Sequence, residues 1–215
     1  MVKKTSWMAA LALAAAARWP LWPQSHPVPP ARVPEIVCFG DSLTAGYGVD
    51  PGKSFPDLLQ RGLDQRGYHY KVINMGVSGE TTQDGLARLA RVISEHPQIV
   101  ILELGANDGL RGEPVSITEG NLGRIIEALK QAGAKVVLAG ITLPPNYGPD
   151  YIPKFNAIFP ELAKRYMLTL IPFLLADVAT KPNLMQADGL HPNAEGTRQV
   201  AANVMRVLEP LLRKD

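Results

Sequence analysis

From residue 34 onward, short apolar runs alternate with stretches in which apolar residues recur every three or four positions. The runs at 35–39, 70–73, 99–104, 135–141 and 168–171 read as five strands, most of them apolar enough to be buried on both faces. The stretches between them read as helices. Ser54 and Asp57 form a capping box ahead of Leu58, Leu59 and Leu63. Leu86, Leu89 and Ile93 make a second stripe. Leu122, Ile125, Ile126 and Leu129 make a third, with Ser116 and Glu119 as its expected capping pair. Phe155, Ile158, Phe159 and Leu162 form a fourth, in which Pro160 predicts a kink or break. Asn193 is placed to cap a last helix carrying Val200, Val204, Val207 and Leu211.

Strands alternating with helices predict an α/β fold, a parallel sheet with helices on both faces in three layers. Right-handed crossovers leave few arrangements for five such strands, and a doubly wound, flavodoxin-like sheet is the expected one. No internal repeat and no second domain is visible. With 46% apolar and 20% charged residues over 215 positions, residues 34–215 have enough apolar content for one core.

Residues 1–33 follow a different pattern. Lys3 and Lys4 precede an alanine- and leucine-rich run at 7–17, then Arg18 and a proline-rich stretch from Pro20 to Pro34. A charged start and a short apolar centre predict a secretory signal peptide followed by a proline-rich linker. The run falls short of the roughly 20 residues a membrane span needs. The expected location is therefore the periplasm or the exterior, with no stable membrane span once the leader is removed. Setting Lys3, Lys4 and Arg18 aside turns the slight excess of 22 basic over 20 acidic residues into a slight acidic one. No basic stripe points to nucleic acid. Cys38 is the single cysteine, which excludes an internal disulfide and favours packing within the first strand.

Three of the strand ends carry reactive groups. Ser42, in Gly40-Asp41-Ser42-Leu43, lies on the turn after the first run, where its hydroxyl would stand clear of the sheet. Asn107, in Gly105-Ala106-Asn107-Asp108, follows the third. Asp188 and His191, in Asp188-Gly189-Leu190-His191, follow the fifth. Ligands of doubly wound sheets bind beyond the carboxyl ends of the strands. The topology thus gathers these residues at one edge, with Gly79 and the loop at 143–151. A serine needs a base to attack at neutral pH. His191 can take the Ser42 proton, and Asp188 can orient the imidazole and stabilise its charged form. The Ser42 N–H, Gly79 and the Asn107 amide are candidate donors to an oxyanion. Singly, each reads as well as a plain structural residue: Asp188-Gly189 a turn, Gly79 a loop glycine, Asn107 a turn residue bonded to its own backbone. Their combination with Ser42 favours chemistry. Asp41 is expected to anchor the loop, since a second carboxylate beside Ser42 would oppose oxyanion formation.

Gly40-Asp41-Ser42-Leu43, Gly79, Asn107 and Asp188-x-x-His191 resemble, in order and spacing, the four blocks of the SGNH, or GDSL, hydrolases. Further stretches are similar to the bacterial thioesterase/lysophospholipase/arylesterase branch. They include Gly85-Leu86-Ala87-Arg88-Leu89, Asn107-Asp108-Gly109-Leu110-Arg111-Gly112 and Asp188-Gly189-Leu190-His191-Pro192-Asn193. The resemblance spans about residues 35–212. It implies a serine esterase with Ser42 as nucleophile, Asp188 and His191 completing a triad, and Ser42, Gly79 and Asn107 forming the oxyanion hole. Ala106 stands where close relatives often carry glycine.

Other motifs fall short. Gly52-Lys53-Ser54 would end a phosphate-binding loop, but Tyr47 stands at the position of its first glycine. Gly46-Tyr47-Gly48 would open a dinucleotide fingerprint, but Pro51 occupies the last glycine. His26, His69, His96 and His191 show no paired ligand spacing, so neither a metal nor another cofactor is expected. The expected partner is a small ester or acyl molecule. Leu143-Pro144-Pro145 and Tyr151-Ile152-Pro153 point to an acyl or aryl pocket. A carbohydrate-directed deacetylase, or a flavodoxin-like binding module without catalysis, are the alternatives.

Overall fold

The computed structural model describes residues 32–214, so the expected leader lies outside the described residues. In chain order the elements are β1 (Glu35–Gly40), α1 (Ser42–Ala45), α2 (Phe55–Gln65), β2 (Lys71–Gly76), α3 (Thr82–Ala87), α4 (Leu89–Ser94) and β3 (Ile99–Glu103). There follow α5 (Ala106–Leu110), α6 (Val115–Gln131), β4 (Lys135–Ala139), α7 (Tyr151–Tyr166), β5 (Thr169–Ile171) and α8 (Ala194–Leu208). All strand pairings are parallel, in the order β2-β1-β3-β4-β5. This is the flavodoxin-like order that the alternation predicts. The helix α2 packs with α8, while α6 packs with both α3 and α7. Ile36 to Phe39 of β1 and Val100 to Leu102 of β3 are wholly buried between the layers, which is why these runs are continuously apolar.

The sequence reading departs from the structure in several places. β2 runs on through Asn74 and Met75 to Gly76, beyond the apolar run. The polar Asn74 fits because its amide donates to Ser54 Oγ and its oxygen accepts the Gly76 N–H. The stripe from Leu86 to Ile93 divides into α3 and α4 at Arg88, whose side chain runs to Glu80, Gly40 O and Met75 O. Thr81 and Asp84 cap α3 with a box that the sequence reading did not pick out. Ser116 and Glu119 make no capping box. The helix starts at Val115 behind Pro114, two residues earlier than a Ser116 cap would place it, and Glu119 pairs with Arg165 of α7. Pro160 does not break α7, because buried Phe155, Ile158, Phe159 and Leu162 hold both halves to the core while Pro160 faces outward. The final helix stops at Leu208, and Leu211 falls in a 3-10 turn.

The order reverses between β1 and β3, whose carboxyl ends lie side by side with Gly40 paired to Glu103. A side chain at Gly40 would run into the Thr44 hydroxyl and both the carbonyl and the carboxyl of Glu103. All three obstacles belong to fully buried residues, and one is backbone, so they cannot step aside. Gly40→Ala should therefore cost about 1–3 kcal/mol, read as a lower urea midpoint at unchanged slope; an unaltered midpoint would mean the strand ends have slack.

Candidate active site

Ser42 opens α1 directly after β1, and the turn before it is fixed by Asp41, which is fully buried and accepts the Leu43 N–H at 3.1 Å. His191 comes from the loop before α8. Its Nε2 lies 2.8 Å from Ser42 Oγ, and its Nδ1 lies 2.7 Å from Asp188 Oδ2. The other Asp188 oxygen accepts the backbone N–H groups of Leu190, at 2.9 Å, and His191, at 3.0 Å. Burial pushes the Asp188 carboxyl up, but the His191 ring and these two N–H groups outweigh it and hold it below its ordinary value. An ionised Asp188 keeps the imidazole hydrogen on Nδ1, leaving Nε2 free to accept from the serine hydroxyl.

Gly79 and Asn107 lie with Ser42 and His191 on the wall of one cavity of about 400 Å³. Gly79 has φ of +84°, a conformation that favours glycine, and its carbonyl accepts from Arg111 Nη2 at 2.8 Å. The Asn107 amide donates to Asp41 Oδ2 at 3.1 Å and to the Glu80 carbonyl at 2.9 Å. It thus ties the end of β3 to the serine turn and to the Gly79 loop. Asp41 serves as the anchor the sequence predicts, with both oxygens occupied by Leu43 and Asn107.

Leu110, Ile141, Leu143 and Leu175 also line the cavity beside Pro144, together with the polar Ser78 and Thr142. Of the residues expected to form an apolar surround, Leu143 and Pro144 do so. Tyr151, Ile152 and Pro153 instead begin α7, and the Tyr151 hydroxyl donates to the Glu113 carbonyl at 2.5 Å.

The sequence of residues 38–199 matches the model of the GDSL-like lipase/acylhydrolase family. The chain belongs to that family. An arylesterase of Vibrio mimicus is 45% identical over 175 residues, covering 81% of this chain and 88% of the relative. The thioesterase 1/protease 1/lysophospholipase L1 of Escherichia coli K12 is 40% identical over 186 residues, covering 86% and 88%. The crystal structure of TesA superposes with a TM-score of 0.80 at 41% identity, covering 83% of this chain and 99% of that one. With these relatives the protein is a GDSL-type hydrolase of carboxylic esters.

Several residues that hold the hydrolase's site together escaped the sequence reading. Gln186 donates through its amide to the carbonyls of Tyr47 and Pro192, at 2.8 and 2.9 Å, and through its backbone N–H to His191 O. It clamps the His191 loop to the loop after α1. The Tyr47 ring lies against the imidazole, with centroids 4.6 Å apart. Arg88 makes a two-pronged contact with Glu80 and lies 4.6 Å over the Phe39 ring, which braces the loop that receives the Asn107 amide. Polar side chains at strand ends and loop tips give no periodic signal. Glu103 did leave one: a lone carboxylate closing an otherwise apolar strand. Among the described residues, no helix is long and apolar enough to cross a membrane.

Cys38 is fully buried in β1, and that burial pushes its thiol well up. It should not react with an aromatic disulfide reagent in the native hydrolase and should release one equivalent after unfolding. Fast labelling of the native protein would show that β1 opens readily.

Proposed function

We propose that the protein hydrolyses aryl and acyl esters, thioesters and lysophospholipids among them, through a Ser42–His191–Asp188 triad and an acyl-enzyme. The observation that carries this reading is the unbroken line of short contacts from Asp188 Oδ2 through the imidazole to Ser42 Oγ, ending at an apolar cavity. His191 Nε2 takes the hydroxyl proton as Ser42 Oγ attacks the ester carbonyl, and the ionised Asp188 stabilises the imidazolium. The Ser42 N–H, the Gly79 N–H and the Asn107 amide receive the negative charge on the carbonyl oxygen. For this Asn107 exchanges one of its two present acceptors for the substrate. The imidazolium then gives its proton to the departing alcohol or thiol. Water repeats the sequence on the acyl-enzyme, with His191 again the base, and releases the acid.

The leucine, isoleucine and proline side chains around the cavity favour an acyl chain or an aryl ring over a sugar, whose hydroxyls would find few partners there. The basic start and apolar run of residues 1–33 support export to the periplasm or beyond.

Ser42→Ala should leave the thermal midpoint unchanged and lower kcat by about 10⁶-fold, because nucleophile and base act as a unit. The parent should hydrolyse aryl and medium-chain acyl esters faster than acetylated sugars. Turnover surviving in Ser42→Ala would refute the nucleophile, and a preference for sugar acetates would favour the deacetylase alternative.

A further inference from the structure

Directly beneath the serine turn lie two carboxyl groups that the hydrolytic steps do not use. Glu103 ends β3, Asp41 links β1 to α1, and neither has any exposed surface. The Asp41 N–H donates to Glu103 Oε2 at 3.3 Å, and the Thr44 hydroxyl donates to the same oxygen at 2.7 Å. Glu103 Oε1 is buried and meets no hydrogen-bond partner among the described residues. Each Asp41 oxygen accepts one hydrogen bond, from Leu43 N–H and from the Asn107 amide, and keeps a further lone pair.

The ionisable groups facing this pair are Cys38 on β1, Asp108 on α5 and His191 from the loop before α8, with Asp57 of α2 beyond Cys38. Arg88 reaches the neighbouring Gly40 carbonyl but is committed to Glu80. None of the ion pairs among the described residues includes Asp41 or Glu103. Two adjacent buried carboxylates without a cation cannot both stay ionised. A buried acceptor without a donor is also costly, whereas the same oxygen bearing a proton becomes a donor. We propose that Glu103 is a positioning residue that keeps its proton at neutral pH and donates it to Asp41. The pair then carries one negative charge and holds the Asn107 amide and the Ser42 turn in their reacting arrangement.

The direction of the titrations agrees. Burial first, and then the charge of Asp41, push Glu103 far above the ordinary carboxylate range. Burial also raises Asp41, but the Leu43 N–H, the hydrogen bond with Glu103 and the nearby His191 pull it back, so Asp41 is the partner that ionises. The absent side chain at Gly40 leaves the space that the Glu103 carboxyl and the Thr44 hydroxyl fill. This inference rests on the hydrolase reading above, because the groups it positions are that reading's nucleophile turn and oxyanion donor. Ionisation of Glu103 would put a second negative charge under the developing oxyanion. The kcat should therefore fall on the alkaline side as the pair loses its last proton.

The protonation state can be read without any assay of activity. In full-length protein labelled with carboxyl-¹³C glutamate, one side-chain resonance should keep the protonated shift at neutral pH. Its titration should coincide with the alkaline fall in kcat. Glu103→Ala should lower kcat roughly ten- to a hundredfold with little change in KM. Glu103→Gln, whose amide N–H can stand in for the acid O–H, should recover most of that loss, lack the alkaline limb and erase the resonance. The proposal is overturned if every glutamate of the unaltered protein is ionised at neutral pH, a result independent of whether either variant folds. It is also overturned if folded Glu103→Gln is no better than Glu103→Ala or keeps the same alkaline limb. Activity surviving in Ser42→Ala would sink the hydrolase reading alone and leave the carboxyl spectrum as it is.

Discussion

Gly40 faces Glu103 where β1 and β3 end, and the missing side chain on one strand makes room for the carboxyl and the carbonyl of the other. That close approach sets the separation between Ser42, which follows β1, and Asn107, which follows β3. Parallel register fixes both strand ends along the same line, so a shift of either strand would carry Ser42 away from Asn107. Asp41, Thr44 and Glu103 then form a buried hydrogen-bonded patch under the serine turn, to which the half-buried Asn107 bonds through Asp41. Buried polar networks of this kind specify one geometry when their donors and acceptors are matched. The rest of the site is added to this base by loops. Arg88 and Glu80 brace the Gly79 loop, and Gln186 draws the His191 loop across to Tyr47.

The sheet was legible because its central strands are buried on both faces and so spell out continuous apolar runs. The grouping of Ser42, Asp188 and His191 was legible for a different reason: they stand at element ends, where a doubly wound topology gathers its ligands. The misreadings share a cause, in that tertiary contacts overrode local signals. Pro160 stays helical because four buried neighbours anchor α7. Glu119 leaves its expected cap for Arg165, and Arg88 splits a regular apolar stripe by turning inward. Tyr151 looked like pocket wall but spends its hydroxyl on the Glu113 carbonyl. Gln186 could not have been found from local pattern, since its partners lie 139 residues away at Tyr47 and only six away at Pro192.

The site divides into a firm half and an adaptable half. The firm half is the buried patch at the ends of β1 and β3, where fully buried atoms contact one another. The adaptable half is the wall formed by Leu110, Ile141, Leu143 and Pro144, where apolar contacts are non-directional. Tyr147 and Tyr151 bind the segment after β4 to the carbonyls of Leu110 and Glu113, so the two sides of this wall are joined.

The central claim is that Ser42 is the one nucleophile, made reactive by His191. It is tested most directly by treating the protein with an aryl phosphonate ester, which transfers its phosphonyl group to an activated serine and releases the phenol, followed by intact mass and peptide mapping. The account predicts one adduct per chain, carried by Ser42, complete loss of ester hydrolysis at full labelling, and negligible labelling of His191→Ala. An adduct on another residue, or hydrolysis continuing in the fully labelled protein, would contradict it.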